Sequence, residues 1–472
     1  MNGVDAVTVG AAIKRVCLAA AALALAAAVW APAGGPAGAR GLPGGFRGVP
    51  ELVYGRDGDL WLARADGSER RPLTARNDPA LVAIPLSWSP DGRWLAYTLS
   101  AIGAYPGDQQ LLLLDVLTGA ERTVAARSWE PQVVWAADSR RFVVEGVYDP
   151  AVWPGDPLPA LHVYLLAAAR LVHLRVPHAG AGRSVACAGI GHVAPGAEWL
   201  AYLAPDGALR FRHLPSGRER SLGAPPDPRQ DLCHFVAWSP DARWFAWTRP
   251  REDLRATVDP GPWANPPREV YALRVDAAGM QDAVLLGTVT RGLTCCHWHS
   301  SYRPLLWSPD GLWLDSWFFM PALFPRPDSR GSTAPPAGGW PGLHDCAPGD
   351  TTCRARASNP YHWSPDGAWV LYEASATPSS FPRQGVLRLV RLDSLGGPAQ
   401  LVVDLVAVTP QTSGFYATYL TSRFSPDGRY VAYLAPDGGL WTYDVADGAH
   451  APLDGFRSDA QGIWSTVPLW RP

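Results

Sequence analysis

The densest cluster of reactive side chains in this sequence is Cys295-Cys296-His297-Trp298-His299, with His344 and Cys346 further along the chain. Thiolate and imidazole groups at this density are the ligands that zinc and copper prefer. His297 and His299 would share one face of a strand, but the spacing does not fix the remaining ligands. Because oxidised cysteines explain the same residues, we predict no bound metal and no cofactor.

Histidine and aromatic residues form a second group of candidates. Aromatic platforms with arginine neighbours bind peptides or sugars, and Trp153 and Trp340 also lie in long connecting segments. The alternative, left open, is that the histidines are structural and that each aromatic residue packs on its own part of the fold. No catalytic residue is predicted. The predicted ligand-binding residues are His192, His234, His297, His299, Tyr361, His362, Trp263 and Tyr416.

Six cysteines follow the N-terminal leader described below, and an even number in an exported chain predicts disulfide bonds. Cys187 and Cys233 lie six and five residues before equivalent positions of successive repeats, so neighbouring units could bring them together. Cys346 and Cys353 lie in one insertion and could pair locally or with another cysteine. The predicted disulfide-forming residues are Cys187, Cys233, Cys295, Cys296, Cys346 and Cys353.

A five-residue unit, Trp-Ser-Pro-Asp-Gly in its clearest form, occurs seven times and sets the positions of these candidates. The first residues of successive units are 47, 58, 45, 69, 56 and 61 residues apart. Proline fixes φ at the first turn position, and glycine accepts the left-handed conformation that closes a tight hairpin. Seven copies at this spacing predict a repeat architecture. The clear copies begin at Trp88, Trp238, Trp307, Trp363 and Phe424, and the degenerate copies begin at Trp135 and Val193.

Each unit is followed by a short apolar and aromatic strand, such as Trp94-Leu95-Ala96-Tyr97, and then by two more strands around a second turn. Runs without strict alternation suit strands that are covered on both faces. Four antiparallel strands per repeat predict an all-β fold, a β-propeller of four-stranded blades. Residues 51–74 lack a first strand and Leu469-Trp470 starts a unit, so we expect the two ends of the chain to share one blade. Eight blades are favoured and seven remain an alternative.

The Trp-Ser-Pro-Asp-Gly units resemble the TolB-like, WD-like propeller repeats of exported bacterial proteins over roughly residues 50–472. The resemblance implies the propeller fold. It implies little about function, because such propellers serve as interaction platforms and as accessory domains of peptidases. The unit that begins at Trp307 is the least regular, since the Pro/Gly-rich insertion at 321–361 shows no convincing outer strands.

The N-terminal residues have the composition of an export signal: Lys14 and Arg15, then an apolar run from Val16 to Trp30, then small residues. We predict that residues 1–39 are a signal peptide, or alternatively a membrane anchor, plus a linker, and that 40–472 form a single propeller domain. The protein is then exported to the periplasm, the cell envelope or the medium. It would touch the membrane only through the N-terminal segment, and only if that segment is not cleaved.

The formal net charge of −2 gives no electrostatic case for nucleic acid, and we predict none as a partner. A Gly-x-Ser-x-Gly elbow, a phosphate loop and a His-Glu-x-x-His motif are missing from the sequence.

In a meander, turns between the first and second and between the third and fourth strands share one face, and here those turns are tight. Long segments fall on the other face, where function usually lies.

We therefore predict a monomeric, non-catalytic propeller that binds a protein, peptide or glycan through its loop-rich face. The alternatives are a propeller enzyme (a lyase or a metal-dependent hydrolase) with its site in the central pocket, and a membrane-tethered sensory or structural domain.

Overall fold

The computed structural model describes residues 48–102, 108–147, 160–174, 192–204, 208–222, 236–251, 268–275, 282–289, 305–315, 323–328, 362–375, 385–392, 399–408, 423–435, 439–454 and 468–472. These residues form strands, turns and extended segments, so the fold is all-β as predicted. Among them, none forms a helix with the length and hydropathy needed to cross a bilayer.

The first strands in chain order are β1 (Glu51–Arg56), β2 (Asp59–Arg64), β3 (Arg71–Pro72), β4 (Leu81–Trp88), β5 (Trp94–Ala101), β6 (Gln109–Asp115), β7 (Ala120–Trp135), β8 (Arg141–Val147), β9 (Ala160–Leu165) and β10 (Arg170–His173). Next come β11 (His192–Val193), β12 (Trp199–Leu203), β13 (Leu209–His213), β14 (Glu219–Leu222), β15 (Val236–Trp238), β16 (Trp244–Pro250), β17 (Arg268–Arg274), β18 (Val284–Val289), β19 (Leu306–Trp307) and β20 (Trp313–Asp315). The last are β21 (Leu323–Pro325), β22 (His362–Trp363), β23 (Trp369–Ser375), β24 (Gly385–Leu392), β25 (Ala399–Val408), β26 (Arg423–Phe424), β27 (Tyr430–Leu434), β28 (Leu440–Asp444), β29 (His450–Asp454) and β30 (Leu469–Trp470).

The strands make antiparallel sheets in which neighbours in sequence are neighbours in space. Four-stranded sheets run β11 to β14, β15 to β18, β22 to β25 and β26 to β29, each in consecutive order. A further four-stranded sheet has the order β3-β2-β1-β30. Hydrophobic clusters join sheets that follow one another in the chain: Phe211 of β13 packs with Phe245 of β16, and Leu389 of β24 packs with Val431 of β27. The chain is therefore an all-β propeller, and its core lies in the layers between the sheets.

The two ends of the described chain share one sheet, as the repeat predicted. Leu52 pairs with Trp470 and Val53 pairs with Leu469 in antiparallel register. The resulting sheet packs on both sides, because Tyr54 belongs to a cluster with Tyr430 while Val53 belongs to a cluster with Leu95. One blade therefore links the first and last repeats, which satisfies a sheet edge that would otherwise be open.

The number of blades stays a prediction. Strands β4 to β10 form a single seven-stranded sheet, because β7 is one 16-residue strand that pairs with β6 along its first half and with β8 along its second. The sheet of β19 to β21 has three strands within the described residues. Its third strand, Leu323–Pro325, pairs with Trp313–Asp315 inside the insertion for which the sequence showed no convincing outer strand. Phe324 explains it, since its buried ring packs against Trp307 and close to Gly287 of the preceding sheet.

Every turn between a first and a second strand is five residues long, and these seven turns are called the turn ring: 89–93, 136–140, 194–198, 239–243, 308–312, 364–368 and 425–429. In all five Ser-Pro-Asp turns the serine hydroxyl donates to the aspartate two residues later and accepts from the backbone N–H five residues later. For Ser239 that N–H belongs to Trp244, at 2.9 Å. The serines are buried, so the motif closes its own polar groups.

The three units that lack the turn glycine adopt the same turn with strain. Gly92 has φ +66° at the fourth position of its five-residue turn, and Ser139, Ala197 and Ala242 occupy the same left-handed region with φ of 57°, 53° and 57°. A residue with a Cβ costs about 1 kcal/mol in this conformation. The missing glycines therefore change the energy of the turn and not its path.

Tryptophan side chains at the ends of first strands connect successive sheets. The indole Nε1 of Trp307 donates to the carbonyl of Ala237 (3.2 Å), and that of Trp470 donates to the carbonyl of Arg423 (3.0 Å). Each acceptor lies on the first strand of the preceding sheet. One residue type thus fills the layer between two sheets and bonds across it, which explains part of the tryptophan excess.

Candidate functional site

The two faces of the propeller differ in the length of their connections. The turn face, defined by the turn ring and the turns between third and fourth strands, has no described connection longer than 275–283. The loop face, defined by the connections between second and third strands and between sheets, carries every longer one. These are residues 148–159, 174–191, 223–235, 251–267, 290–305, 326–361, 409–422 and 455–468.

The turns of the turn ring contact one another from sheet to sheet, which shows that they lie on one side of the molecule. The backbone N–H of Asp91 donates to the hydroxyl of Ser139 (3.1 Å), and Ala136 forms an isolated bridge with Gly196. A Cβ placed on Gly428 would lie 3.5 Å from Cδ of Pro365 in the preceding turn. The loop face is therefore the opposite side of the molecule.

Two of the predicted ligand-binding residues fall on described strands. His192 begins β11 and pairs with Ala201, and His362 begins β22 and pairs with Leu371. Both positions are loop-face ends of first strands, and the His362 side chain is half-buried. That either residue binds a ligand stays a prediction.

The other predicted residues lie outside the described residues, so the structure does not bring them together and they stay predictions. They are His234, His297, His299, Tyr361, Trp263, Tyr416, Trp153 and Trp340, and the six cysteines Cys187, Cys233, Cys295, Cys296, Cys346 and Cys353.

A cluster that the sequence did not single out lies at the loop-face end of β16 and β17. Glu269 is buried and accepts from Arg251 Nη1 (2.6 Å) and from the Tyr271 hydroxyl (2.7 Å), with Arg249 Nη1 3.9 Å away. Burial alone would raise the pKa of Glu269, but the bonds from Tyr271 and Arg251 outweigh it and lower that pKa. The signal was present as two arginines at alternate positions, 249 and 251, at the end of a strand.

On the opposite side of the same strands, buried Arg268 donates from Nε to the hydroxyl of Thr248 (2.7 Å). Arg268 pairs in register with Pro250. It shares a face of β17 with Val270, which packs in the layer toward β19 to β21, so Arg268 faces that layer too. The end of this sheet thus presents cationic groups on both of its sides, directly beside the connection 251–267.

A second cluster holds the shared sheet to its neighbour. Asp454 is buried, accepts from the Tyr54 hydroxyl (3.0 Å), and accepts from Arg56 Nη1 at 2.7 and 2.8 Å. Burial, followed by the charge of Asp454, raises the pKa of Tyr54. Because Asp454 ends β29 and Arg56 ends β1, this group ties two sheets together at the loop face.

A third cluster surrounds Asp59 at the start of β2. Its carboxylate accepts from the Thr74 hydroxyl (2.7 Å) and from the backbone N–H groups of Arg76 (2.7 Å) and Asn77 (2.8 Å). Burial would raise the pKa of Asp59, but these hydrogen bonds and the Arg76 charge outweigh it and lower that pKa. The Arg76 side chain continues to Glu121 of the next sheet at 2.6 Å.

Tyrosines on second strands are bonded by residues on fourth strands of the same sheet. The Tyr202 hydroxyl donates to Glu219 (2.8 Å), and burial, then this bond, raises the pKa of Tyr202 to about 12. The Tyr97 hydroxyl donates to Glu121, and that of Tyr433 lies 2.7 Å from Nδ1 of His450. These contacts hold second and fourth strands of one sheet together, so they belong to the scaffold.

The carboxylates of Asp59 and Glu269 are therefore held in their ionised form by their hydrogen bonds. A general acid or base needs a pKa near the working pH, whereas the pKa values of Asp59 and Glu269 are shifted away from neutrality. Within the described residues no group of three or more His, Cys, Asp or Glu side chains is arranged to hold a metal ion. What these residues can do is support and orient connections, and present arginine beside them.

Comparison with known proteins gives a likeness of fold. No family model matches this sequence, and no curated protein matches it. Similar solved structures include TolB from Acinetobacter baumannii, with 12% identity and a TM-score of 0.33, covering 76% of this chain and 64% of that chain. A eukaryotic initiation factor has 12% identity and a TM-score of 0.46, covering 90% of this chain and 98% of that chain.

Oligogalacturonate lyase from Vibrio parahaemolyticus is also similar, with 11% identity and a TM-score of 0.38, covering 69% of this chain and 80% of that chain. The resemblance to TolB-like propellers that the repeat predicted is confirmed, as a likeness of fold alone. This chain spans less than two thirds of the TolB chain that it matches.

Proposed function

We propose that this chain is a non-catalytic, exported propeller that acts as a monomer and binds a protein, peptide or glycan through its loop face. The observation that carries the proposal is the division of the connections. Every connection longer than nine residues starts from one face, whereas the other face carries short turns, several of which contact the neighbouring turn. Variable segments on a rigid scaffold are where binding residues concentrate.

The chemistry of the described residues at the loop face supports binding over catalysis. The carboxylates of Asp59 and Glu269 accept hydrogen bonds from arginine, tyrosine or backbone donors, and their pKa values are lowered, so they are poor proton carriers at neutral pH. Arginine is among the residues that contribute most to recognition surfaces. Arg249 and Arg251 lie where the connection 251–267 leaves β16, which places them at the edge of the proposed binding surface.

The binding proposal is tested with two matched variants screened against a displayed peptide library and a glycan array. One variant replaces residues 252–267 by a short Gly-Ser linker, and the control carries Arg243→Ala on the turn face. Ligands selected on the wild-type protein should bind the loop variant at least about 30-fold more weakly, as for the loss of a hot spot, and should bind the control equally. Equal binding by the loop variant with loss in the control would contradict the proposal.

Export and the absence of catalysis have separate tests. N-terminal sequencing of secreted material should begin shortly after Ala33 or Ala39, and an intact Met1 in the membrane fraction would refute cleavage. Metal analysis combined with thiol counting should find oxidised cysteines and no stoichiometric metal. Tightly held zinc or copper would instead favour the metal-dependent enzyme.

A further inference from the structure

Three consecutive residues that close the ring together contact three sheets: the shared sheet, the sheet of β4 to β10 and the sheet of β26 to β29. Leu469 lies in register with Val53 of β1, and its carbonyl accepts from the indole of Trp88 (3.4 Å). Trp470 is buried and donates to the carbonyl of Arg423 on β26 (3.0 Å). Arg471 completes the set with contacts to the shared sheet and to the turn ring.

Arg471 makes more polar contacts than either neighbour. Its Nη1 lies 2.7 Å from Glu51 Oε2, its Nε donates to the carbonyl of Gly92 (3.1 Å), and its guanidinium lies 5.6 Å from the ring centre of Trp88. Its backbone N–H donates to the carbonyl of Glu51 (2.9 Å). The surrounding residues Glu51, Leu52, Val53, Trp88, Gly92 and Arg423 are called the closing groove.

The ladder itself is short. Strand β30 has two residues and two register pairs, whereas β1 forms six register pairs with β2 on its other side. A ladder of two pairs is weak without side-chain contacts, so the attachment depends on an indole in a buried layer and a guanidinium with three partners. Backbone pairing that supplies affinity, with side chains in specific pockets, is the way that sheet edges bind extended peptides.

We propose that the closing groove is a peptide-binding site for an extended Leu-Trp-Arg segment, filled within each chain by residues 469–471 and able to accept the same residues from a second copy. The contacts given above lie within three residues, 469–471. Attachment in the same chain raises the local concentration of such a segment, to about the millimolar range for a short flexible tether. The site is distinct from the loop face and does not depend on ligand binding there, but exchange of the segment between copies would give a dimer in place of the monomer proposed above.

The test uses full-length Trp470→Ala protein, in which the chain's own segment is weakened, and a synthetic peptide of residues 467–472 that stands for a second copy. The peptide should bind this variant by fluorescence anisotropy and raise its unfolding temperature. It should bind wild-type protein at least about tenfold more weakly, because the groove there is filled. A peptide carrying Trp470→Ala should bind the variant at least about 30-fold more weakly than the wild-type peptide, as for the loss of a buried aromatic anchor.

A charge exchange tests whether the added peptide places its Arg471 beside Glu51, as the chain's own segment does. A peptide with Arg471→Glu should bind poorly to the Trp470→Ala protein and regain about tenfold in affinity when the protein also carries Glu51→Arg. Equal affinity of the wild-type and Trp470→Ala peptides, or no recovery in the charge exchange, would overturn the proposal. If Trp470→Ala protein does not fold alone, refolding it with excess peptide should restore the native circular dichroism, and failure to do so would equally overturn it.

Discussion

At the scale of single residues, the serine of the repeated turn is an internal cap. Ser239 is buried, donates to Asp241 and accepts from the Trp244 N–H, so alanine would leave that N–H without a partner. We expect Ser239→Ala to lower the free energy of unfolding by about 2–3 kcal/mol, measured by urea titration. Ser221→Ala, the same change at an exposed serine, should cost less than about 0.5 kcal/mol. Similar losses in the two variants would contradict the capping role.

The turn that ends in alanine offers the opposite change. Ala242 has φ 57°, a conformation that glycine adopts without steric cost. Ala242→Gly should raise stability by about 0.5–1 kcal/mol, after allowing for the greater freedom of glycine in the unfolded chain. As a mirror control, Gly367→Ala at φ 71° should lower it by a similar amount. A decrease in the Ala242→Gly variant would show that the turn has adapted to alanine.

Buried Asp59 predicts a defined acid sensitivity. Its folded-state pKa is below the unfolded value of about 3.9. The ionised form therefore contributes stability that is complete above the unfolded pKa and is lost as the pH falls through the folded pKa. Asp59→Asn should lose about 2–3 kcal/mol at pH 7 through its hydrogen bonds, and should then lose less than wild type between pH 6 and pH 3.

Urea titrations at several pH values measure both the loss of stability at pH 7 and the change in stability between pH 6 and pH 3. Asp108→Asn, which breaks an exposed pair with Arg127, serves as the control and should keep the pH dependence of wild type. Parallel pH profiles for wild type and Asp59→Asn would show that this carboxylate does not carry the acid sensitivity.

At the scale of strands and sheets, the bond from a tryptophan indole to the preceding sheet can be isolated. Trp307 donates to the carbonyl of Ala237, whereas buried Trp135 has no hydrogen-bond partner for its Nε1 in the described structure. Phenylalanine at either site removes similar volume. Trp307→Phe should therefore cost about 1 kcal/mol more than Trp135→Phe in thermal unfolding. Equal costs would mean that the ring fills space and the bond contributes nothing.

Sequence patterns predicted most elements because they are set locally. The Ser-Pro-Asp-Gly turn closes its own polar groups, and the strand that follows it was recognised from its aromatic residues. The continuity of β7 was missed, because Pro131 normally marks the end of a strand. Here it lies inside one, at the irregularity between Ser128 and Gln132 in the pairing with β8. Strand β21 was missed since three residues next to prolines give no periodic signal, and the ring of Phe324 is what holds them.

The site was less predictable than the fold. Histidine and aromatic residues were selected by type, and only His192 and His362 fall on described strands. Glu269 lies on β17, whereas Arg249 and Arg251 lie at the end of β16, with Arg251 and Glu269 18 residues apart in sequence. The alternating arginines are visible in the sequence, but their contact with Glu269 depends on strand pairing that no local pattern shows. The shared sheet was predictable, because the missing first strand at one end and the extra unit at the other are complementary.

At the scale of the whole molecule, the difference between the faces predicts where the chain tolerates insertions. A Gly-Ser-Gly-Ser insertion between Asp427 and Gly428 would disrupt bonds of Ser425 and the close approach to Pro365. We expect it to cost about 2 kcal/mol or more. The same insertion between Asp259 and Pro260 lengthens a loop-face connection and should cost less than about 1 kcal/mol, since the entropy of closing a loop grows slowly with its length.

Chemical denaturation of the two insertion variants measures the difference. If both insertions cost the same, the turn ring would have no special part in holding adjacent sheets in place.

The 16-residue strand β7 has a consequence for how the protein opens. Where other sheets are separated by connections, β4 to β10 share one unbroken ladder, so a fluctuation that frees one half pulls on the amides of the other. Deuterium uptake by native protein should therefore occur together across residues 120–135 and their partners, as one cooperative unit. The sheet of β22 to β25 should exchange separately. The sheets would then open separately, except that the sheet of β4 to β10 would open as a single unit.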